Sequence, residues 1–130
     1  MLTLKLKDSC EVNIYYSTKY WYQNDKLHRD NGPAVEDADG TKYWYQNGKR
    51  HRLDGPAIEW PDGGKAWYQN GNRHRLDGPA VECSNGDRSW YLNGELHRDN
   101  GPAVEYVNGY ESWYHNGIIC KESAVTSLQS

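Results

Sequence analysis

Apolar positions along the chain come in short bursts, each closed by a turn-forming pair. One cycle reads Ala57-Ile58-Glu59-Trp60, then Pro61-Asp62-Gly63-Gly64, then Lys65-Ala66-Trp67-Tyr68. Asx-Gly pairs punctuate the chain in two series. Asp39-Gly40, Asp62-Gly63, Asn85-Gly86 and Asn108-Gly109 form the first; Asn47-Gly48, Asn70-Gly71, Asn93-Gly94 and Asn116-Gly117 form the second. An Asx-Gly pair between alternating segments signals a hairpin, because a type I′ turn needs positive φ at both central residues. No interval between these breakers is long enough for a stable amphipathic helix. The pattern predicts an all-β chain, an extended antiparallel β-hairpin repeat array of roughly ten to twelve strands.

The bursts keep a fixed beat. Trp21, Trp44, Trp67, Trp90 and Trp113 are spaced 23 apart, as are His28, His51, His74 and His97, each followed by an Arg. The Gly-Pro pairs ending at Pro33, Pro56, Pro79 and Pro102 keep the same spacing. Such a period marks stacked units. We divide the chain into a degenerate N-terminal half unit at 1–17, full units at 18–40, 41–63, 64–86 and 87–109, and a decayed unit at 110–130. In the last, Cys120, Lys121 and Glu122 stand where a His-Arg block is due, followed by Ser123, Ala124 and Val125. Atypical ends are what capping repeats require.

Taking Asp62-Gly63 as a two-residue turn places Trp60 opposite Lys65, Glu59 opposite Ala66, Ile58 opposite Trp67 and Ala57 opposite Tyr68. The same register pairs Val35 with Trp44, Asp37 with Lys42, Val81 with Trp90 and Val104 with Trp113. An aliphatic facing an aromatic is worth about 0.2–1 kcal/mol relative to an Ala pair. The Val/Ile–Trp pairs are therefore expected to line the core face. The segment Asn-Gly-x-x-His-Arg-x-Asx-Gly-Pro is expected to arch back to the next strand, with proline at the strand entrance, where a missing N–H does least harm.

Composition narrows the function. The chain has 11 Tyr and 6 Trp, no Phe and one Met, with a mean hydropathy of −1.05. Tyr and Trp carry a polar handle and suit thin, half-wet layers. No apolar run approaches the roughly 20 residues of a membrane helix. The net charge is −3 and the pI about 5.9, which argues against a nucleic-acid or anionic-membrane binder. Cys10, Cys83 and Cys120 form neither a disulfide framework nor a CxxC pair. The first residues, Met1 to Asp8, alternate apolar and polar and do not read as a signal peptide. A reducing cytoplasm is the expected compartment.

The run Asn47 to His51, followed by Gly55 and Asp62-Gly63 on this period, resembles the MORN repeat. That family pairs a Tyr/Trp-bearing strand with Asn-Gly-x-x-His-Gly-x-Gly and closes each unit on Asp-Gly. The resemblance covers most of the chain. It departs in lacking the strand glycine and in replacing His-Gly-x-Gly by His-Arg-x-Asx-Gly-Pro-Ala. Those departures are closer to the MORN-repeat variant proteins of bacteria, bacteriophages and large viruses. One branch of these is similar to the antitoxin component of a toxin–antitoxin module. The resemblance implies an elongated β-meander used as a binding surface, with no enzymatic activity and no named partner.

His51, Arg52 and Asp54 form the most chemical-looking block. Four copies in register favour a structural role, since an active site needs one constellation. Adjacent strands lie about 4.8 Å apart, so arginines two strands apart would recur roughly every 10 Å, a poor match to successive phosphates. Glu36, Glu59, Glu82 and Glu105 keep the same beat and offset the field. No nucleophile elbow, P-loop, HExxH or CxxC pair is present. We expect no catalytic residue, no metal and no cofactor, and read His115 as exposed. An alternative anion or nucleotide site would use His51, Arg52, His74 and Arg75.

Specificity in a repeat protein is expected where units differ. Asp37, Trp60, Cys83 and Tyr106 form one variable column; Leu27, Arg50, Arg73, Leu96 and Ile119 form another; Lys26, Lys49, Asn72, Glu95 and Ile118 form a third. Trp60, Tyr106, Tyr110, Arg50 and Arg73 are the candidate partner-binding residues, Tyr and Trp being frequent hot spots. Ile118-Ile119 forms an apolar tip, and open sheet edges offer a homodimer contact. The expected function is a non-enzymatic protein-binding module that neutralises a partner, such as a bacterial toxin or defence component, by steric occlusion. Sequestration of a small anion and structural self-association are the alternatives.

Overall fold

The computed structural model describes residues 2–5 and 10–123. Residue 1, residues 6–9 and residues 124–130, including the Ala124-Val125 remnant of the last arch, lie outside it. The described residues contain no helix. One antiparallel sheet runs in the order Leu2–Lys5, Cys10–Tyr15, Thr18–Gln23, Val35–Glu36, Lys42–Tyr43, Ile58–Glu59, Lys65–Ala66, Val81–Glu82, Arg88–Ser89, Val104–Glu105, Glu111–His115, Ile118–Ser123. Spatial order follows chain order, so the fold is a hairpin meander.

The expected arches hold strands of their own. Tyr45–Gln46 pairs with Lys49–Arg50, Tyr68–Gln69 with Asn72–Arg73, and Tyr91–Leu92 with Glu95–Leu96. Each turns on Asn-Gly with both φ angles positive, for example Asn70 at 50° and Gly71 at 85°. These are the two-residue type I′ turns that the second Asx-Gly series predicts. The small hairpins also bond to one another: Gly48 N–H donates to Leu27 O, Gly71 N–H to Arg50 O, and Gly94 N–H to Arg73 O, each at 2.8 Å.

The first Asx-Gly series behaves differently, and this corrects the expected register. Only the glycine has positive φ, 95° at Gly63. Trp60 N–H donates to Gly64 O and Gly63 N–H to Trp60 O, both at 3.0 Å. The loop therefore has three residues, Pro61, Asp62 and Gly63, and its last residue is a left-handed glycine. Asp62 Oδ1 accepts the Gly64 N–H at 2.8 Å, an Asx turn that fixes the aspartate outside the left-handed region. One extra loop residue slips the pairing by one. Ile58 faces Ala66 rather than Trp67, Val35 faces Tyr43, Val81 faces Ser89, and Val104 faces Ser112. None of the expected Val/Ile–Trp pairs forms, and the one Val–Trp pair among the described residues lies outside that set. Val12 faces Trp21, because the hairpin between them turns on two residues, Tyr16 and Ser17, both with positive φ.

The slip builds two long cross-strand rows. One reads Tyr20, Val35, Tyr43, Ile58, Ala66, Val81, Ser89, Val104, Ser112. Its centre packs with Ala57 and Tyr68 into a buried cluster, against which Tyr43, Trp44 and Val81 rest. A second cluster of Val12, Trp21 and Ala34 anchors the N-terminal end. The other row alternates charge: Lys19, Glu36, Lys42, Glu59, Lys65, Glu82, Arg88, Glu105, and ends on Glu111. Opposite charges across a ladder stabilise it, and like charges do not.

Candidate functional site

The strands break at each in-register Trp from Trp44 to Trp90, and its backbone joins sheet to arch. Trp44 N–H donates to Ala57 O at 2.7 Å, and Trp44 O accepts the His51 N–H at 3.1 Å. Trp67 and Trp90 repeat this with Ala80 and His74, and with Ala103 and His97. The tryptophan is thus fixed where the arch returns over it.

The arch arginine lies on that ring. Arg29, Arg52, Arg75 and Arg98 hold their guanidinium carbons 3.8–4.0 Å from the ring centroids of Trp21, Trp44, Trp67 and Trp90. Arg52 Nη1 donates to Pro56 O and Glu59 Oε2 at 3.0 Å, and its Nε to Asp54 Oδ1 at 3.1 Å. Arg98 likewise reaches Pro102 O and Glu105. The glycine before each proline completes the sandwich. A Cβ on Gly55 would stand 2.9 Å from the Arg52 guanidinium carbon, and Gly32, Gly78 and Gly101 face their arginines at 3.0 Å. Their requirement is close approach rather than a special φ. In the last unit Lys121 Nζ, 4.8 Å from the Trp113 ring, takes the arginine's place.

The histidines join successive units. His28, His51, His74 and His97 each accept at Nδ1 the backbone N–H of Asn47, Asn70, Asn93 or Asn116, at 2.9–3.0 Å. The neutral ring then carries its proton on Nε2. His28 and His97 donate that proton to Asp30 and Asp99 at 2.8 and 2.9 Å. His115 is exposed, yet its ring centroid lies 4.6 Å from that of His97, tilted by 44°, and its Nδ1 lies 3.9 Å from Asp99 Oδ1. The potential ligand atoms of His97, Asp99 and His115 fall within 4.8 Å of one another. The Asn116 N–H opposes a cation there, since metal on His97 Nε2 would move the proton to Nδ1 and break that bond.

For the alternative anion site, the arches bring His51, Arg52, His74 and Arg75 onto one side. Both guanidiniums are already ion-paired with two carboxylates, Arg52 with Asp54 and Glu59 at 3.1 and 3.0 Å, Arg75 with Asp77 and, more loosely at 3.6 Å, Glu82. An anion would have to displace a carboxylate.

The candidate partner-binding residues are scattered. Trp60 sits at a turn tip, 37% exposed, with its ring over Gly64, where a Cβ would approach Cε3 to 3.2 Å. The Tyr106 and Tyr110 rings pack with centroids 5.4 Å apart and planes tilted by 31°, and Tyr110 donates its hydroxyl to Glu122 Oε2 at 2.8 Å. That bond raises the Tyr110 pKa, against a smaller opposing effect of Ser112. The turn of Cys83 separates the pair from Trp60, and burial pushes the Cys83 thiol up. Arg50 and Arg73 are pillars among tyrosines. Arg50 lies 5.8 Å from the Tyr43 ring and 5.5 Å from the Tyr68 ring, and Arg73 lies 5.3 Å from Tyr91. Burial opposes the charge on Arg73, but hydrogen bonding and attraction from Tyr68, with help from Tyr91, outweigh it and raise its pKa.

Sequence reasoning missed a variable column on the arches: Asp30, Leu53, Leu76, Asp99. Leu53 and Leu76 are 77% and 83% exposed. They flank Asp54 and Asp77, and an open groove of about 1220 Å³ separates Leu53 from the first arch. The signal was available, because leucine replaces the aspartate that caps the histidine in the outer units.

No protein-family model matches the chain, and no curated protein matches it. Among the described residues no helix is long and apolar enough to cross a membrane.

Proposed function

We propose that the protein is a non-catalytic repeat module of MORN-variant type that binds another protein and neutralises it by covering its surface. A cytoplasmic antitoxin or a phage-encoded inhibitor of a bacterial defence protein fits this reading. The observation that carries it is the pair Leu53 and Leu76. Two aliphatic side chains stand in solvent on neighbouring arches whose arginines and histidines are committed to the scaffold. A contiguous exposed apolar surface rimmed by polar residues marks a protein contact, and Leu53 and Leu76, on adjacent arches, would form the centre of one. Trp60, on the turn edge, is a second anchor of hot-spot type. Several unit contacts on one rigid frame would add their affinities.

The test is affinity capture from a bacterial lysate with the tagged protein, run beside Leu53→Asp/Leu76→Asp and Trp60→Ala variants. A stoichiometric protein retained by the parent and lost from the paired leucine variant, with circular dichroism unchanged, is expected. Equal recovery by parent and both variants would remove these surfaces from the reading.

A further inference from the structure

The position before each in-register Trp runs Tyr20, Tyr43, Ala66, Ser89, Ser112 along the chain. Large residues give way to small ones toward the C-terminus. Beside this column lies that of Leu27, Arg50, Arg73, Leu96 and Ile119. In the second unit both are filled: the Tyr43 ring, and the Arg50 guanidinium between it and Tyr68. In the third, Arg73 supplies the guanidinium, against Tyr91. In the fourth, Ser89 replaces the tyrosine and Leu96 replaces the arginine. The space they leave is a cleft of about 430 Å³, lined by Ser89, Tyr91, Leu96, Val104, Ser112 and Tyr114. That volume falls within the usual range of small-ligand sites, roughly 300–1,000 Å³.

We propose that this cleft is a binding site for a guanidinium group supplied from outside the chain. The internal arginines are the argument. One unit earlier, with Ala66 in the place of Ser89, the same frame holds the Arg73 guanidinium against the Tyr91 ring and in hydrogen-bond reach of Tyr68, so its chemistry is suited to a planar cation. Tyr91 and Tyr114 correspond to Tyr45 and Tyr68, the latter one of the rings that Arg50 contacts. The charge at the mouth agrees. Arg88, which also lines the cleft, shares Glu105 with Arg98 and is turned to it at 2.7 Å, while the Asp87 carboxylate on the same rim holds backbone and amide donors, Val107 N–H and Asn85 Nδ2, and, among the described residues, no cation. The site stands independently of the proposed partner surface, since neither Leu53, Leu76 nor Trp60 lines it.

The guanidinium has two sources, a free small molecule or an arginine side chain of a protein. The experiment titrates the full chain with three probes, following Tyr91 and Tyr114 ring signals by NMR. These are arginine blocked at both termini, free arginine, and blocked citrulline, a neutral urea isostere. Saturable shifts with blocked or free arginine, and at least tenfold weaker binding of citrulline, are expected. Tighter binding of the blocked form assigns a protein side chain, and of the free form a small molecule. Leu96→Arg returns an internal guanidinium and should abolish the shifts; Ser89→Tyr fills the cleft and should do the same if the first variant fails to fold. Citrulline binding as well as arginine, no saturable shift with either arginine probe, or undiminished binding in a folded filled variant would each overturn the proposal.

Discussion

At the residue scale, the recurring design is an arginine held flat between a tryptophan face and a glycine Cα. Arg52 joins Trp44, Pro56 O, Glu59 and Asp54 in one contact group, and Gly55 leaves the room for it. Arg52→Ala should cost about 2 kcal/mol of stability, combining the ring contact with the lost charge-assisted bonds. Gly55→Ala should cost about 1 kcal/mol in the parent and almost nothing beside Arg52→Ala, because the three atoms nearest the added Cβ, at 2.9–3.2 Å, all belong to that guanidinium. A double-mutant cycle in urea measures this, and simple additivity would refute the sandwich. Asp39 supplies a second test. The Thr41 N–H donated to its carboxylate at 2.8 Å holds its pKa below the ordinary value. A carboxyl group lowered by folding contributes stability above its unfolded pKa, and that contribution is lost as pH falls through the folded one. Asp39→Asn, which keeps an acceptor oxygen but not the charge, should therefore lower stability at neutral pH slightly and leave stability at low pH nearly unchanged, so that part of the acid sensitivity of unfolding disappears.

At the element scale, the two Asx-Gly series look alike in sequence and fold differently. The second series closes two-residue turns, and the sequence predicts this directly. The first is lengthened by one residue, since Asp62 and its equivalents keep negative φ and use their side chains on the following N–H groups. Pro61, with φ fixed near −65°, suits the first loop position and was the available clue. The strand class, the meander and the repeating hairpins were thus legible, while the register was not, because a one-residue difference in loop length reverses every side chain. For the same reason the expected Val–Trp core gave way to a Val/Tyr row and an Arg–Trp layer. The Tyr16-Ser17 turn carries two non-glycine residues at φ 50° and 68°. Replacing them by Asn-Gly should stabilise the protein by about 1 kcal/mol, since L-residues there are strained. Thermal unfolding followed by circular dichroism measures it, and an unchanged midpoint would contradict the turn assignment.

At the scale of the whole molecule, the charged row runs across most of the sheet and breaks at one place. Starting from Lys19, each residue from Glu36 to Arg88 faces an opposite charge on either side, but Glu105 faces Arg88 on one side and Glu111 on the other. The mismatch is tolerated because Glu105 is held by two arginines, Arg88 at 2.7 Å and Arg98 at 3.0 Å. Glu111→Lys would continue the alternation and remove the like-charge contact. The gain should be small, about 0.2–0.5 kcal/mol, since a half-buried pair at the sheet surface is still screened and Glu105 already has partners. It should fall further between low salt and about 1 M salt, where the Debye length is roughly 3 Å. Arg98→Ala reverses the argument. With one of its two arginines gone, Glu105 should feel Glu111 more strongly, and the benefit of Glu111→Lys should grow. A cycle of these two substitutions, measured in urea at low and high salt, tests whether the row acts as one electrostatic ladder. A gain from Glu111→Lys that ignores both Arg98 and salt would mean that the ladder is a set of independent strand pairs.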